Sequence, residues 1–347
     1  MRLPVLRFNR HSFSSAALVA IAFFIYASTA QANNTKLTIA IPGPGNLLFL
    51  PIELAKKINA DIAEGADLDI RFFGGGPQAY QDMLVKNSDF SAGGMAALAE
   101  QRASGQPVIC IVPISRVPAY SLMVRNDLKG KIKKIADLKG HVIGVKGHTK
   151  GGRSTTQMFT EYQLKLAGIP IDSVNFIPTG QSYEDQHAAL ASGTVDAIMG
   201  DEPFTSRMQK EGIGFYLADF HDTNTVKKLM GGLFLNSQIA TRESFLATHP
   251  DSTGKMVKVI KRTLVWISHH SAQEIVNALN LPDQAEREAL LNVLTRYKNM
   301  YSPDGSFSNE QLRTSEKFFH QVSKDDPKAQ ALPFNSFIVD KWAGRTR

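Results

Sequence analysis

Few residues of this 347-residue chain are spaced for chemistry, and most candidates fail on their spacing. Gly43-Pro44-Gly45 opens like a dinucleotide fingerprint, but Leu48 occupies the place of the third glycine, so the segment reads as a turn. Gly147 to Ser154 (GHTKGGRS) approaches a phosphate-cradling P-loop, yet Arg153 stands where a lysine must reach the β- and γ-phosphates. The nine histidines form no HExxH and no helical HxxxH pair. Glu184-Asp-Gln-His187 is a single E-x-x-H where a di-iron bundle needs two. No GxSxG elbow occurs, and Cys110 sits inside the apolar run Val108–Val112 as a buried strand residue rather than a nucleophile. One cysteine also excludes an intrachain disulfide and any multi-cysteine metal site. Asp201 and Glu202 are adjacent carboxylates, but neighbours at a strand end point to opposite sides, which is wrong for an acid–base pair. What survives is Ser154-Thr155-Thr156-Gln157, an S-x-x-Q capping box opening a helix that Gly168 can end. Free N–H groups at that helix start, two hydroxyls and the neighbouring Lys150 and Arg153 suit an anion. A plain N-cap with solvated basic neighbours fits the same residues. Nothing argues for catalysis.

Elements that would position these residues follow one plan twice. Leu37–Ile41 runs into Pro42-Gly-Pro-Gly45, Leu68–Phe73 into Gly74-Gly-Gly-Pro77, and Asp89-Phe90 into Ser91-Ala-Gly-Gly94, with helix-like segments between. The order recurs: His141–Val145 runs into Lys146-Gly147, Val174–Ile177 into Pro178-Thr-Gly180, and Val195–Met199 into Gly200. Gly74 and Gly93 are 19 residues apart, Gly180 and Gly200 are 20 apart, and Leu84–Asp89 resembles Leu190–Asp196. Strands alternating with helices at this spacing predict two α/β lobes with mainly parallel sheets, and glycine loops at the carboxyl ends of strands are where such sheets bind ligands. Beyond Phe245 the texture turns helical, with a stripe at Val257, Ile260, Leu264 and Ile267 that reads as core. Helices are also expected over 284–297 and 309–322, and the tail 333–342 is expected to lie against the first lobe.

Composition is ordinary for a globular chain, at 43% hydrophobic and 20% charged. Arg2, Arg7 and Arg10 precede a 12-residue apolar run, Ala16–Ala27, and Ala30-Gln-Ala32 has the small-x-small form of a cleavage site. Residues 1–32 therefore read as a cleavable signal peptide with no lipid-accepting cysteine after it, and a periplasmic destination where the source has two membranes. Its removal takes three positive charges from a formal net charge of +7, leaving +4. No basic run is long enough to track a phosphate backbone, so no nucleic acid is expected.

Ala136-Asp-Leu-Lys-Gly140, His141-Val-Ile-Gly-Val145, Ala188-Ala-Leu-Ala-Ser-Gly193, Val195-Asp-Ala197, Asp201-Glu-Pro203 and Tyr301-Ser-Pro-Asp-Gly305, with the Ser/Thr helix start, resemble the solute-binding subunits of ABC importers. The class is the nitrate/sulfonate/taurine one, the NMT1/THI5-like or SsuA-like family. That resemblance implies a type II periplasmic-binding fold, with one lobe from residues 33–120 and 235–347 and the other from 121–234. It also implies crossings near 119–122 and 233–236, hinge closure on a small organic anion, and delivery to a membrane permease with its cytoplasmic ATPase. A monomer without cofactor or metal is expected. Cleft residues implied by position are Asn46, Gly75, Gln78, Gly94, Met95, Arg116, Arg153, Ser154, Thr155, Tyr183, Asp201 and Phe204. Three successive glycines, 74–76, would let backbone approach a modest-sized ligand. The alternative on the same fold is an enzyme acting on a pyrimidine-like molecule, which the absence of the cysteine-rich run of pyrimidine synthases disfavours.

Overall fold

The computed structural model describes residues 34–146 and 152–346. The proposed signal peptide and residues 147–151 lie outside them. Two five-stranded sheets are built to one pattern. The first orders its strands β2-β1-β3-β10-β4, from β1 (Thr35–Pro42), β2 (Ala66–Phe73), β3 (Phe90–Gly94), β4 (Val108–Pro113) and β10 (Ser237–Arg242). The second orders them β7-β6-β8-β5-β9, from β5 (Tyr120–Arg125), β6 (Val142–Lys146), β7 (Asn175–Thr179), β8 (Ala197–Asp201) and β9 (Gly214–Asp219). In each, three strands run parallel and a fourth, β10 or β5, inserts antiparallel between the parallel set and the last strand.

The internal echo has a structural cause. Asp89 Oδ2 accepts the N–H and the hydroxyl of Thr38, tying the entry of β3 to β1. Asp196 Oδ2 likewise accepts the Val142 N–H at 3.1 Å and faces His141 Nδ1 at 2.9 Å, tying the entry of β8 to β6. The two aspartates that end the similar phrases do the same work in the two sheets.

Helices cover the sheet faces, and one continuous core of buried Leu, Ile, Val and Phe holds the first sheet against Pro250–His269 and Asn309–Val322. The stripe Val257, Ile260, Leu264 and Ile267 is buried as expected of a core face. The C-terminal tail pairs Val339 N–H with the Cys110 carbonyl and sinks Phe334 and Phe337 beside it.

The chain crosses between the sheets at 114–119 and 220–236, and the crossings bind each other. Ile114 and Ser115 donate N–H to the Ser237 carbonyl, Asn236 N–H returns to Ser115, and Phe234 N–H goes to Arg116. Ser237 Oγ and Ser115 Oγ are 2.7 Å apart, and Asn236 Nδ2 donates to the Pro118 carbonyl at 3.0 Å and to Tyr120 Oη at 3.2 Å. The two crossings are thereby joined to each other where they pass between the sheets.

Candidate functional site

Carboxyl ends of strands from both sheets meet at one small cavity. The first lobe contributes Pro42 at the end of β1, Asn46, Leu48 and Phe49 in the loop after it, Gly76 and Pro77 after β2, Gly94 ending β3, and Ala97. The second contributes Tyr120 at the start of β5, Lys146 ending β6, Ser154 to Thr156 at a helix start, Gln181 after β7, and Asp201 ending β8. The space open to water within it is about 30 Å³, room for one or two waters.

Local sequence explains each position. Asn46 is fully buried because its side chain builds the turn: Oδ1 accepts the Leu48 N–H at 2.9 Å, and its carbonyl accepts from Phe49. Ser154 caps the helix Thr155–Leu166, accepting the Gln157 N–H at 3.1 Å. Thr155 reaches across to the first lobe, where its Oγ1 accepts the Ala97 N–H at 3.1 Å. Lys146 and Asp201 are the last residues of two neighbouring parallel strands of the second sheet, β6 and β8, and form an ion pair with 2% and 1% exposure. Burial lowers the Lys146 pKa well below its ordinary value. The Tyr120 ring lies 5.9 Å from the Lys146 ammonium, within cation–π range, and burial pushes its phenol upward.

Hydrogen bonding at this pair is lopsided. Asp201 Oδ2 takes Lys146, Gln181 Nε2 at 2.6 Å and Gln186 Nε2 at 3.4 Å. Asp201 Oδ1, equally buried, has no partner among the described residues, and neither has Asn46 Nδ2 on the opposite lobe. Glu202 turns away as its adjacency to Asp201 requires, binding Thr205, Ser206 and Tyr216 in a separate network.

Of the residues expected from sequence, Asn46, Gly94, Ser154, Thr155 and Asp201 line the cavity. Gly75 sits buried next to the lining Gly76, and Gln78 is exposed at the start of the helix Gly76–Leu84. Met95 is fully buried in the core, its N–H on the Asn236 carbonyl. Arg116 binds the Asn299 carbonyl through Nε at 2.8 Å, beside the crossing. Arg153 is engaged by Glu100, Glu161, the Val322 carbonyl and Ser323. Tyr183 carries Arg207 stacked at 3.9 Å and bonds Glu211, while Phe204 packs edge-on against it in the second lobe's small core. Lys146, Tyr120 and Gln181 are the polar wall residues that sequence reasoning did not single out. A lysine directly ending the buried strand Val142–Lys146 was the available signal for the first.

Among the described residues no group of three or more His, Cys, Asp or Glu is placed to hold a metal ion. Cys110 is completely buried in β4, away from the cavity wall, and burial raises its thiol pKa.

Two α/β lobes with this strand order, closed over a polar cavity at their strand ends, define the periplasmic-binding-protein fold. Comparison with known proteins gives the family. The model described as NMT1/THI5 like matches residues 62–274, and the chain belongs to that family. YtlA of Bacillus subtilis (strain 168), a binding protein by name only, is 24% identical over 338 residues, 96% of each chain. A solved protein from Bordetella bronchiseptica RB50 superposes with a TM-score of 0.81 at 24% identity, covering 90% of this chain and 96% of that one. The alkanesulfonate-binding protein SsuA from Xanthomonas axonopodis pv. citri, bound to MOPS, superposes at 0.69 with 16% identity, covering 90% and 99%.

Proposed function

We propose that this chain is the solute-binding subunit of an ABC importer, exported by way of residues 1–32 and working in the periplasm. It would capture a small polar solute between its lobes and present the closed complex to a membrane permease driven by a cytoplasmic ATPase. The observation that carries this reading is the cavity itself: fully buried polar side chains converge on it from both lobes, Asn46 from one and Lys146 and Asp201 from the other. Such a site fills and empties only if the lobes part at the crossings, so solute affinity becomes affinity for the closed form. We assign residues 33–120 and 235–347 to one moving body and 121–234 to the other, with Asn46, Gly94, Lys146, Ser154, Thr155, Gln181 and Asp201 as the contact set. Among the described residues of the cavity wall no nucleophile is paired with a base, which supports capture rather than turnover.

The test is a thermal-shift screen of the chain without its leader, unfolded and refolded beforehand to strip carried-over solute. A true cargo at one hundred times its Kd adds about 2.7 kcal/mol of stability and raises the melting point by a few degrees. Recovery of the compound unchanged supports a binding protein. Its consumption would replace this reading with an enzyme.

A further inference from the structure

Both tryptophans of the chain lie at one place on the first lobe. Trp266 stands near the end of the helix Pro250–His269 and Trp342 in the C-terminal tail, and they line one shallow surface hollow. Each is partly buried. Trp266 stacks on His270 with ring centroids 3.8 Å apart, and Trp342 lies against Gly254, where a Cβ would come within 2.8 Å of its Nε1. Val265, which also lines the hollow, is 41% exposed.

The same surface is basic. Lys258, Lys261 and Arg262 line the hollow, and Lys341 stands over the Trp342 ring at 4.9 Å. Glu64 is the acid among the lining residues, and Arg262 holds it at 2.6 Å. Lys258, Arg262, Val265 and His269 follow one another three or four residues apart, on the helix face opposite the buried Ile260 and Ile267. Indole rings set among cations are the composition that settles at the headgroup level of a bilayer. Each cation near an anionic leaflet adds to the attraction.

The course of the chain favours a membrane over a second protein as the occupant. The described body begins at this edge of the lobe: Lys255, one turn before Lys258, donates to Thr35 Oγ1 at 2.6 Å and to the carbonyl of Gly65, the neighbour of Glu64, at 3.0 Å. Ala16–Ala27, the apolar run of the export leader proposed above, is joined to Thr35 by the seven residues 28–34. Seven residues reach at most about 25 Å when fully extended. While the leader is attached, the chain itself keeps this edge within that reach of the bilayer. We propose that the tryptophan face docks weakly and reversibly on an anionic bilayer surface, first beside the leader and afterwards without it. This rests on the export reading of residues 1–32 and is independent of which solute the cleft holds.

The two tryptophans report their own contact, because the chain has no others. The chain without its leader is mixed at low salt with vesicles of equal parts phosphatidylcholine and phosphatidylglycerol, with vesicles of phosphatidylcholine alone, and with inorganic phosphate. With the anionic vesicles only, the protein should sediment and its tryptophan emission should move to shorter wavelength, both effects fading as salt is raised. Lys258→Gln/Lys341→Gln should weaken sedimentation about 10- to 30-fold. Lys317→Gln/Lys324→Gln, in a second basic hollow with no tryptophan in its lining, should change it less than about threefold. All four lysines are exposed, so the fold tolerates either pair of changes. Equal losses from the two pairs, an emission unmoved in sedimented protein, an equal shift with phosphate, or no sedimentation with anionic vesicles overturns the proposal. A shift that follows protein concentration without vesicles also overturns it, by placing a second copy on this face. The solute screen uses no lipid, so a protein that takes up solute and ignores vesicles loses this inference and keeps the importer reading.

Discussion

Gly94 and Thr155 approach so closely across the cleft that a Cβ on Gly94 would lie 2.1 Å from Thr155 Oγ1. The glycine's own backbone, at φ −78° and ψ 142°, is open to any residue. It is the other lobe, not the local chain, that demands glycine here. Gly94→Ala should therefore fold normally and fail to close. Solute affinity is expected to fall about 10- to 100-fold, the cost of overpacking by one methyl, while far-UV circular dichroism stays unchanged. Unaltered affinity would mean that the functional closed state is looser than this one.

Under the proposed closure Arg153 would act as a second latch, because its side chain, expected from sequence at the ligand, is engaged by protein groups of both lobes. Its backbone N–H and Nε bind the two oxygens of Glu100 at 3.0 and 3.1 Å, Nη1 binds Glu161 at 2.8 Å, and Nη2 reaches Ser323 Oγ at 3.0 Å. It thus ties the helix Thr155–Leu166 to the first lobe at two places. Glu100→Gln is expected to weaken binding about fivefold, since a partly exposed ion pair contributes roughly 1 kcal/mol. Raising salt should weaken the wild-type protein and leave the variant nearly unaffected. Equal salt slopes in the two proteins would remove the latch from the mechanism.

Glu53 makes stability depend on pH in an unusual direction. It lies under the loop after β1, accepting the Gly45 N–H at 3.0 Å. Burial, with some help from the charge of Glu286, pushes its pKa up to about 7 against the Gly45 hydrogen bond. Between the ordinary carboxylate range and that value the folded chain holds a proton that the unfolded chain has lost, so stability falls as pH rises. From pH 5 to pH 8 the wild-type protein should lose on the order of 2 kcal/mol relative to Glu53→Gln, which keeps an acceptor for Gly45. Denaturant melts of the two proteins across that range measure the difference directly, and parallel curves would place Glu53 in water.

Much of this architecture was legible because strands and glycine loops announce themselves locally. The helices expected over 284–297 and 309–322 run from Gln284 to Tyr297 and from Asn309 to Val322. What escaped was β5, β9 and β10, two of which are the antiparallel insertions that follow the crossings. β10 shows why. Its six residues, Ser-Gln-Ile-Ala-Thr-Arg, are all buried, yet four are polar. Their partners lie far away in sequence: Ser237 Oγ on the Leu48 carbonyl, Gln238 on Tyr80, Thr241 on the Asp89 carbonyl, and Arg242 on the Ser88 carbonyl. A strand of that kind shows neither an apolar run nor alternation, so periodicity cannot find it. The same distance effect explains the site. Arg153 and Tyr183 looked available for a ligand because Glu100, Ser323 and Glu211 are not sequence neighbours, whereas Ser154 and Thr155 were readable from a helix start.

Cys110 offers an independent measure of how firmly the first lobe holds. The thiol is fully buried in β4, between β10 on one side and the tail pairing at Ile338 and Val339 on the other. Burial raises its pKa, so the folded chain holds little reactive thiolate. The native protein should be inert to an aromatic disulfide reagent at pH 8 for as long as it stays folded, and should react fully in denaturant. Because the proposed hinge opening would part the lobes without disturbing β4, adding solute should leave the labelling rate at low denaturant sensitive only to global stability. A solute binding at one hundred times its Kd would then slow labelling about 100-fold, matching its thermal stabilisation. Rapid labelling of the solute-free native protein would show instead that the C-terminal tail, which covers this strand, detaches on its own.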